Sequence, residues 1–120
     1  MIETIGITKK FGATTAVDDL NLRIEAGELF AFIGPNGAGK STTIKMLVGL
    51  LAPTKGRALI GGIDIRRKPV DAKKIIGYIP DYPFLYDKLT GSEFLDFVGR
   101  IYGVGEEELA RKKAYYLDLF

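Results

Sequence analysis

The 120-residue chain contains neither cysteine nor histidine. Disulfide bridges, thiolate and imidazole metal ligands, and a histidine general base are therefore excluded. The longest apolar runs, residues 29–33 and 46–52, are far shorter than the roughly 20 residues that a membrane-spanning helix needs. The N-terminus has no basic segment followed by an apolar stretch, so nothing indicates export and we expect cytosolic residence.

The chain also lacks a large excess of either charge. Seventeen Lys and Arg against fifteen Asp and Glu give a net charge of +2, which is too small to favour a nucleic-acid surface. The length fits one globular domain with a small core. We expect no nucleic-acid partner and interpret the local basic cluster as a solvated face. Its members are Arg66, Arg67, Lys68, Lys73 and Lys74.

Apolar periodicity predicts the elements of the first half of the chain. Alternating apolar and polar residues at 2–7 and 20–24 predict two half-buried antiparallel strands. Residues 29–33 are apolar on every side, which is typical of a strand covered on both faces of a sheet. A glycine-rich loop follows directly, and helical spacing predicts a helix over residues 42–50 with Gly49 near its end.

Shorter elements are predicted downstream. A strand over residues 57–60 and a short helix over 70–74 precede a second apolar β-type run at 75–79. Helical patterns then cover residues 91–102 and 106–119, and the first begins with the spacing of a capping box. No helix-stop signal precedes the last residue, so we expect a truncated domain.

The most specific signal is the pattern G-x-x-x-x-G-K-[ST], which binds nucleotide phosphates where a strand precedes it and a helix follows. Both elements are predicted at the required places. A glycine-rich turn with a solvated lysine is the alternative, and this context disfavours it. The residues of the pattern, here called the glycine loop, are Gly34, Pro35, Asn36, Gly37, Ala38, Gly39, Lys40 and Ser41.

Each residue type in the glycine loop has a chemical reason. Gly34, Gly37 and Gly39 allow the backbone N–H groups to wrap a phosphate and to present a helix N-terminus to it. Lys40 can reach the β- and γ-phosphates, and the Ser41 hydroxyl is suited to ligate Mg²⁺. The sequence therefore predicts a nucleoside triphosphate site, with Mg-ATP as the expected ligand.

Several further segments occur in the order found in one nucleotide-binding family. Thr42 and Thr43 follow the glycine loop, and the turn at 53–56, the segment 57–65 and the run 76–80 continue the pattern. With these segments, the whole chain resembles the N-terminal half of an ABC transporter ATP-binding domain.

The resemblance implies an α/β fold with a P-loop NTPase core. That core and an N-terminal antiparallel β subdomain would occupy residues 1–89, and the start of a helical subdomain would occupy residues 90–120. Residues 87–95 are most similar to the branch that exports drugs, antibiotics or lipids. We expect the domain to be incomplete, and the loss of later strands would leave one side of the core sheet unpaired and apolar.

The resemblance also implies adenine-binding residues outside the glycine loop. Phe11 would stack on the base, Val17 would line the adenine side of the site, and Thr42 would complete the ATP-binding set. Without the family, Phe11 is interpreted as a core aromatic residue. Stacking on an aromatic face would hold the base without reading its identity.

Catalytic and metal roles are implied in the same way. Asp81 stands where the family usually has a glutamine that contacts Mg²⁺ and the attacking water. Aspartate keeps an oxygen for the metal, but it is one methylene shorter and brings a charge near the γ-phosphate. The implied catalytic residues are Lys40 and Asp81, and the implied metal ligands are Ser41 and Asp81. The alternative for Asp81 is a cap of the following loop.

The implied function is an ATP-binding subunit of an ABC transporter, cytoplasmic and peripheral on the inner face of the membrane. It would pair head-to-tail with a second ATP-binding domain and dock on a membrane-spanning subunit. Apolar residues after Asp81 would form the docking surface, although they can equally pack beneath the following helix. These residues are Tyr82, Pro83, Phe84, Leu85 and Tyr86.

Three family elements needed for hydrolysis do not occur in the sequence: a Leu-Ser-Gly-Gly-Gln signature, an apolar strand ending in Asp-Glu, and a switch histidine. Because phosphoryl transfer depends on positioning water and stabilising charge, we expect ATPase activity from the complete domain and little or none from this chain alone. One alternative is a soluble ABC-type ATPase without a transport role, and another is a non-hydrolysing nucleotide-binding fragment. A P-loop kinase is a further one, whereas a GTPase would need an Asn-Lys-x-Asp motif, which is absent.

Overall fold

The computed structural model describes residues 1–82 and 86–119. The chain divides into two compact units, Met1–Tyr78 and Ile79–Phe120. Among the described residues, every helix is too short or too polar to cross a lipid bilayer.

The first unit is built on a four-stranded antiparallel sheet. Strand β1 (Ile2–Phe11) pairs with β2 (Thr14–Ile24) on one side and with β3 (Lys55–Ile60) on the other. Strand β4 (Ile63–Asp64) continues from β3, so the order is β2-β1-β3-β4. The two predicted N-terminal strands and the short strand after the turn are thereby confirmed.

Two helices cover the core side of this sheet. Helix α1 (Lys40–Leu47) contributes the buried Met46 and Leu47, and helix α2 (Pro69–Lys74) contributes Ala72. Burial of such apolar side chains is worth about 25 cal/mol for each Å² removed from water, and it holds α1 against the sheet. The glycine loop precedes α1 directly. The buried apolar cluster comprises Ile7, Val17, Met46, Leu47, Ala58, Ile60, Ile65 and Ala72.

Helix α1 differs from its predicted bounds at both ends. It begins at Lys40 rather than at residue 42, because Gly39 adopts the left-handed conformation and forms the N-cap. It ends at Leu47, and Gly49 then adopts a φ of 70°, so glycine does terminate the helix region as the sequence indicated.

The two apolar runs predicted as strands do not form strands. Residues 29–33 are irregular, with Leu29 fully exposed and Ile33 94% exposed. Residues 75–79 form no strand either, and Ile79 is 91% exposed. A strand needs a neighbour to satisfy its backbone N–H and C=O groups. Among residues 1–82 and 86–119, no strand pairs with either run. Apolar composition therefore indicated a preference for burial, but the pairing that would meet it is absent from this part of the structure.

The second unit contains two helices, α3 (Gly91–Ile101) and α4 (Glu106–Leu119), as predicted within one residue. The predicted capping box is confirmed. The Thr90 backbone N–H donates to Glu93 Oε2 at 2.8 Å, and the Glu93 N–H donates to Thr90 Oγ1 at 3.3 Å. The hydrogen bond from the Thr90 backbone lowers the pKa of Glu93, because it favours the carboxylate.

The packing of α3 on α4 depends on a close approach and an ion pair. A Cβ atom at Gly99 would overlap the Leu109 side chain, so a larger residue there would push the helices apart. Lys113 Nζ donates to both carboxylate oxygens of Asp96 at 2.8 Å. This pair is only partly exposed and therefore less screened by solvent than the surface pairs elsewhere.

Candidate functional site: a glycine loop at a helix N-terminus

The glycine loop leaves a set of backbone donors at the start of α1. The first intrahelical bond runs from the Thr43 N–H to the Gly39 carbonyl at 2.8 Å. The N–H groups of Lys40, Ser41 and Thr42 precede that bond and have no acceptor within the helix. Among the described residues, no side chain forms a capping hydrogen bond at this end of α1. Oriented N–H groups and the positive end of the helix dipole together favour an anion at this position.

Two glycines shape the loop for this purpose. Gly37 and Gly39 have φ values of 84° and 81°, in the region that favours glycine. A Cβ atom on Gly39 would lie 2.5 Å from the Ala16 carbonyl oxygen and 3.1 Å from Val17 Cγ2. The loop therefore lies directly against strand β2, and the absence of a side chain at Gly39 is a steric requirement.

Lys40 folds back over the loop. Its Nζ donates to the Gly34 carbonyl at 2.5 Å and to the Pro35 carbonyl at 2.7 Å. An ammonium group has three donors, so these two bonds leave one for a further acceptor. The lysine thereby brings a positive charge to the mouth of the loop, where an anionic ligand would meet it.

Thr43 closes the loop from the helix side. Its hydroxyl donates to the Gly39 carbonyl at 2.9 Å, the same oxygen that accepts the Thr43 N–H. The side chain is only 3% exposed. Sequence reasoning gave Thr43 no role, although a threonine four residues after a helix N-cap is a position from which a hydroxyl can bond back to that cap.

A cavity of about 350 Å³ lies on the glycine loop. Ala16 on strand β2 lines one side, and residues 36–42 line the rest. The volume lies within the range of about 300–1,000 Å³ that small-ligand sites occupy. Ala16 was missed by sequence reasoning, because only the folded sheet brings β2 against the loop and no local pattern marks that contact.

The donors in this cavity fit a polyphosphate. Free backbone N–H groups, one ammonium group and one hydroxyl are what phosphate oxygens and their metal require. The Ser41 side chain lies in the cavity lining and is exposed. The described residues contain no group of three or more acidic side chains that could hold a metal ion by themselves. Ligation of a magnesium ion by Ser41 and Asp81 therefore stays a prediction.

The predicted adenine-side residues lie on the hairpin of the same unit. Phe11 ends β1 and is 51% exposed, with Lys9 Nζ 5.1 Å from the centroid of its ring. Phe11 is therefore a surface residue. The prediction made without the family resemblance, a core aromatic residue, was wrong. Val17 is 9% exposed and belongs to the buried cluster beside Gly39. The structure brings Val17 to the loop, and its contact with a base stays a prediction.

The remaining predicted residues belong to the second unit. Asp81 and Tyr82 are exposed, Tyr82 by 91%. Tyr86 is 57% exposed and its ring packs edge-on against Phe97 of α3 with centroids 5.6 Å apart. Tyr86 thus combines exposure with packing against the following helix. Three members of the predicted docking surface lie outside the described residues, and these are Pro83, Phe84 and Leu85.

The sheet, helix α1 and the glycine loop together indicate the class of protein to which the chain belongs. An α/β unit in which a G-x-x-x-x-G-K-[ST] loop opens a packed helix is a P-loop nucleotide-binding domain. A family model described as ABC transporter matches residues 17–117. The chain therefore belongs to the ABC transporter family.

Individual relatives agree with this assignment. The chain is 44% identical over 104 residues to a probable multidrug ABC transporter ATP-binding protein, YbhF, of Escherichia coli strain K12, covering 87% of this chain and 18% of that protein. A solved ATP-binding subunit of an ABC transporter superposes with a TM-score of 0.85 at 36% identity, over 92% of this chain and 46% of that one. A dimeric ATP-binding cassette in a post-hydrolysis state, bound to ADP and Pi, superposes with a TM-score of 0.81 at 28% identity, over 98% and 56%.

The chain thus spans between about a fifth and about half of the length of these proteins. The fold is confirmed as that of ABC ATP-binding domains, with an antiparallel β subdomain followed by helices.

Proposed function

We propose that this chain provides the ATP-binding loop of an ABC transporter ATP-binding subunit and that it binds Mg-ATP through the glycine loop. The observation that carries the proposal is the geometry at the start of α1. Three N–H groups without helical acceptors, a lysine folded over the loop and a hydroxyl at the cavity converge within one small volume. Family membership independently supports ATP as the nucleotide.

Each loop residue has one task in this proposal. The N–H groups of Lys40, Ser41 and Thr42 donate to phosphate oxygens at the helix N-terminus. The Lys40 ammonium uses its third donor on the β- or γ-phosphate, and the Ser41 hydroxyl ligates the metal. Magnesium, when bound with ATP, neutralises phosphate charge. The exposed ring of Phe11 offers a surface on which the base stacks.

We also propose that these residues bind nucleotide without turning it over by themselves. The chain has no signature segment, no Asp-Glu strand end and no switch histidine. Positioning the attacking water and stabilising the developing charge are most of what catalysis of phosphoryl transfer requires. Hydrolysis is therefore proposed for the complete ATP-binding domain, with Lys40 and Asp81 as its contributions from this chain.

The roles proposed in transport and assembly are supported by the relatives. The E. coli relative is named a probable multidrug ABC transporter ATP-binding protein, which supports a role in multidrug transport. The dimeric cassette supports pairing with a second ATP-binding domain. Exposed Tyr82 and Tyr86 support a docking surface for a membrane-spanning subunit. The proposed place of work is the cytoplasmic face of the membrane.

Binding is tested by a thermal shift with Mg-ATP on the protein and on two lysine variants. Ligand at about 100 times its dissociation constant adds roughly 2.7 kcal/mol of stability. We expect Lys40→Ala to abolish this stabilisation. The matched control is Lys45→Ala, in the last turn of the same helix, where an exposed lysine is removed without touching the loop. An equal shift in both variants, or none in the folded wild-type protein, would contradict the proposal.

The role of Asp81 is tested separately in the complete ATP-binding domain. We expect Asp81→Gln to retain or raise ATPase activity, because glutamine keeps an oxygen for the metal, removes a charge near the γ-phosphate and restores the family's usual reach. The steady-state rate of phosphate release is the measurement. A loss of more than about tenfold, or about 1.4 kcal/mol in the barrier, would show that the carboxylate itself is required.

A further inference from the structure

The lysine two residues before Phe11 is held by two interactions of its head group. Lys9 Nζ lies 5.1 Å from the centroid of the Phe11 ring, within the distance of about 6 Å at which a cation is attracted to an aromatic face. The same nitrogen donates to the Ala52 carbonyl at 2.8 Å. One face of the ring therefore has a fixed cation over it.

The strand end that carries Phe11 is tied to the segment that follows α1. The Thr54 N–H donates to the Thr8 carbonyl at 2.8 Å, and the Lys10 N–H donates to Thr54 Oγ1 at 3.1 Å. Together with the bond from Lys9 to Ala52, these contacts join residues 8–10 to residues 52–54. These hydrogen bonds therefore hold the backbone that carries Lys9 and the Lys9 head group itself in place beside the ring.

The exposure of the ring indicates which surface remains for a ligand. Phe11 is 51% exposed although Lys9 lies over one face. The remaining surface is available for stacking, and an aromatic ring already held in place loses less conformational freedom when a base stacks on it.

We propose that Lys9 is a positioning residue for the nucleotide base: it covers one face of the Phe11 ring and presents the other face for stacking. The inference rests on the proposed function, since it concerns the same nucleotide. In this proposal Lys9 acts through Phe11 and not on phosphate, and its head group contacts the Ala52 carbonyl and the ring.

The test is isothermal titration calorimetry of the protein with two ligands, Mg-ATP and Mg-tripolyphosphate. Tripolyphosphate offers phosphates without a base, so it reports on the glycine loop alone. We expect Lys9→Met to lower the affinity for Mg-ATP about two- to fivefold. This range corresponds to the energy of an exposed cation–π contact. Binding of tripolyphosphate should be unchanged. Lys9→Arg, which retains a cation and donors, should restore most of the ATP affinity.

Lys10→Met is the matched control, because it removes the same charge from the next residue, whose side chain is exposed. If the effect came only from the loss of positive charge, Lys9→Met and Lys10→Met would both lower the affinity for both ligands. That result would overturn the inference. A second check uses the Phe11→Leu background, in which Lys9→Met should have no further effect on ATP affinity. An unchanged effect in that background would also overturn it, because Lys9 would then act without the ring.

Failure of the proposed function gives a different pattern. If the folded wild-type protein bound neither ligand, the glycine loop would not be a phosphate site, and both conclusions would fall. If it bound both ligands and Lys9→Met matched the wild type for each, only the role of Lys9 would be overturned.

Discussion

Two adjacent segments of the first unit differ in whether they find hydrogen-bond partners. The glycine loop, residues 34–41, is held by its own bonds, from Lys40 to two loop carbonyls and from Thr43 to Gly39. The apolar run before it, residues 29–33, has no strand partner in the described chain and exposes Leu29 fully. One segment is completed by near neighbours in sequence, and the other depends on neighbours that are distant in sequence.

The difference follows from where each segment finds its hydrogen-bond partners. A loop at a helix N-terminus satisfies its groups within a few residues, so a short pattern determines most of its geometry. A strand has to find another strand, and its apolar side chains need a second layer to cover them. Predictions about the two segments should therefore be tested with paired substitutions.

The largest expected effect contrasts a buried with an exposed isoleucine. Ile7→Ala should destabilise the protein by about 2–5 kcal/mol, because Ile7 is fully buried and the substitution leaves a cavity. Ile33→Ala should change stability by no more than about 0.5 kcal/mol, since Ile33 is 94% exposed. The measurement is the urea midpoint and slope of unfolding. A loss above about 1.5 kcal/mol for Ile33→Ala would mean that the run is covered in solution.

A smaller loss of stability is expected from two alanine substitutions in the glycine loop, and their comparison separates steric contact from backbone strain. Gly39→Ala and Gly37→Ala place a side chain at nearly the same φ, 81° and 84°. A Cβ at Gly39 would collide with the Ala16 carbonyl, whereas one at Gly37 meets no atom of the described residues within 4 Å. Strain alone should cost about 1–3 kcal/mol in each variant, and Gly39→Ala should lose more stability and more Mg-ATP affinity.

Calorimetric unfolding and nucleotide titration of both glycine variants provide the measurement. Equal losses would show that the approach of strand β2 to the loop does not constrain the site, and that backbone conformation alone does.

The smallest loss of stability is expected at the N-cap of α3, which, like the glycine loop, is formed by residues close together in sequence. Thr90→Ala should destabilise by about 0.5–2 kcal/mol, because the Glu93 N–H loses its acceptor. Ser92→Ala is the control, in the first turn of the same helix but outside the capping box. Comparison of melting temperatures at neutral pH is the measurement, and equal decreases would contradict a specific role for the cap.

The same cap predicts the direction of a pH effect. The pKa of Glu93 is lowered in the folded protein by its bond from the Thr90 backbone, so the carboxylate form is favoured by folding. Its contribution is present above the unfolded pKa and is lost as pH falls through the lowered folded pKa. The melting temperatures of wild type and Glu93→Gln should therefore converge in acid. A difference that grew on acidification would contradict this assignment.

Most local elements could be predicted from the sequence. The capping box at Thr90 and Glu93, helix α4 and the first two strands were identified by spacing alone, because caps and periodicity act within one or two turns of chain. The phosphate-binding pattern was identified in the same way, since donors and charge come from consecutive residues. The true start of α1 was missed, because it depends on the left-handed conformation of Gly39.

Contacts between distant residues were decided only by the tertiary structure. The approach of Ala16 to Gly39 and the anchor from Lys9 to Ala52 join positions separated by more than twenty residues, and no local pattern marks either pair. The apolar run at residues 29–33 shows the converse: its composition favours a strand, but no strand of the described residues pairs with it. The sequence by itself therefore determined the chemistry of the glycine loop, because that chemistry is local. Only the tertiary structure decided what packs against the loop, because packing depends on residues that the chain brings together by folding.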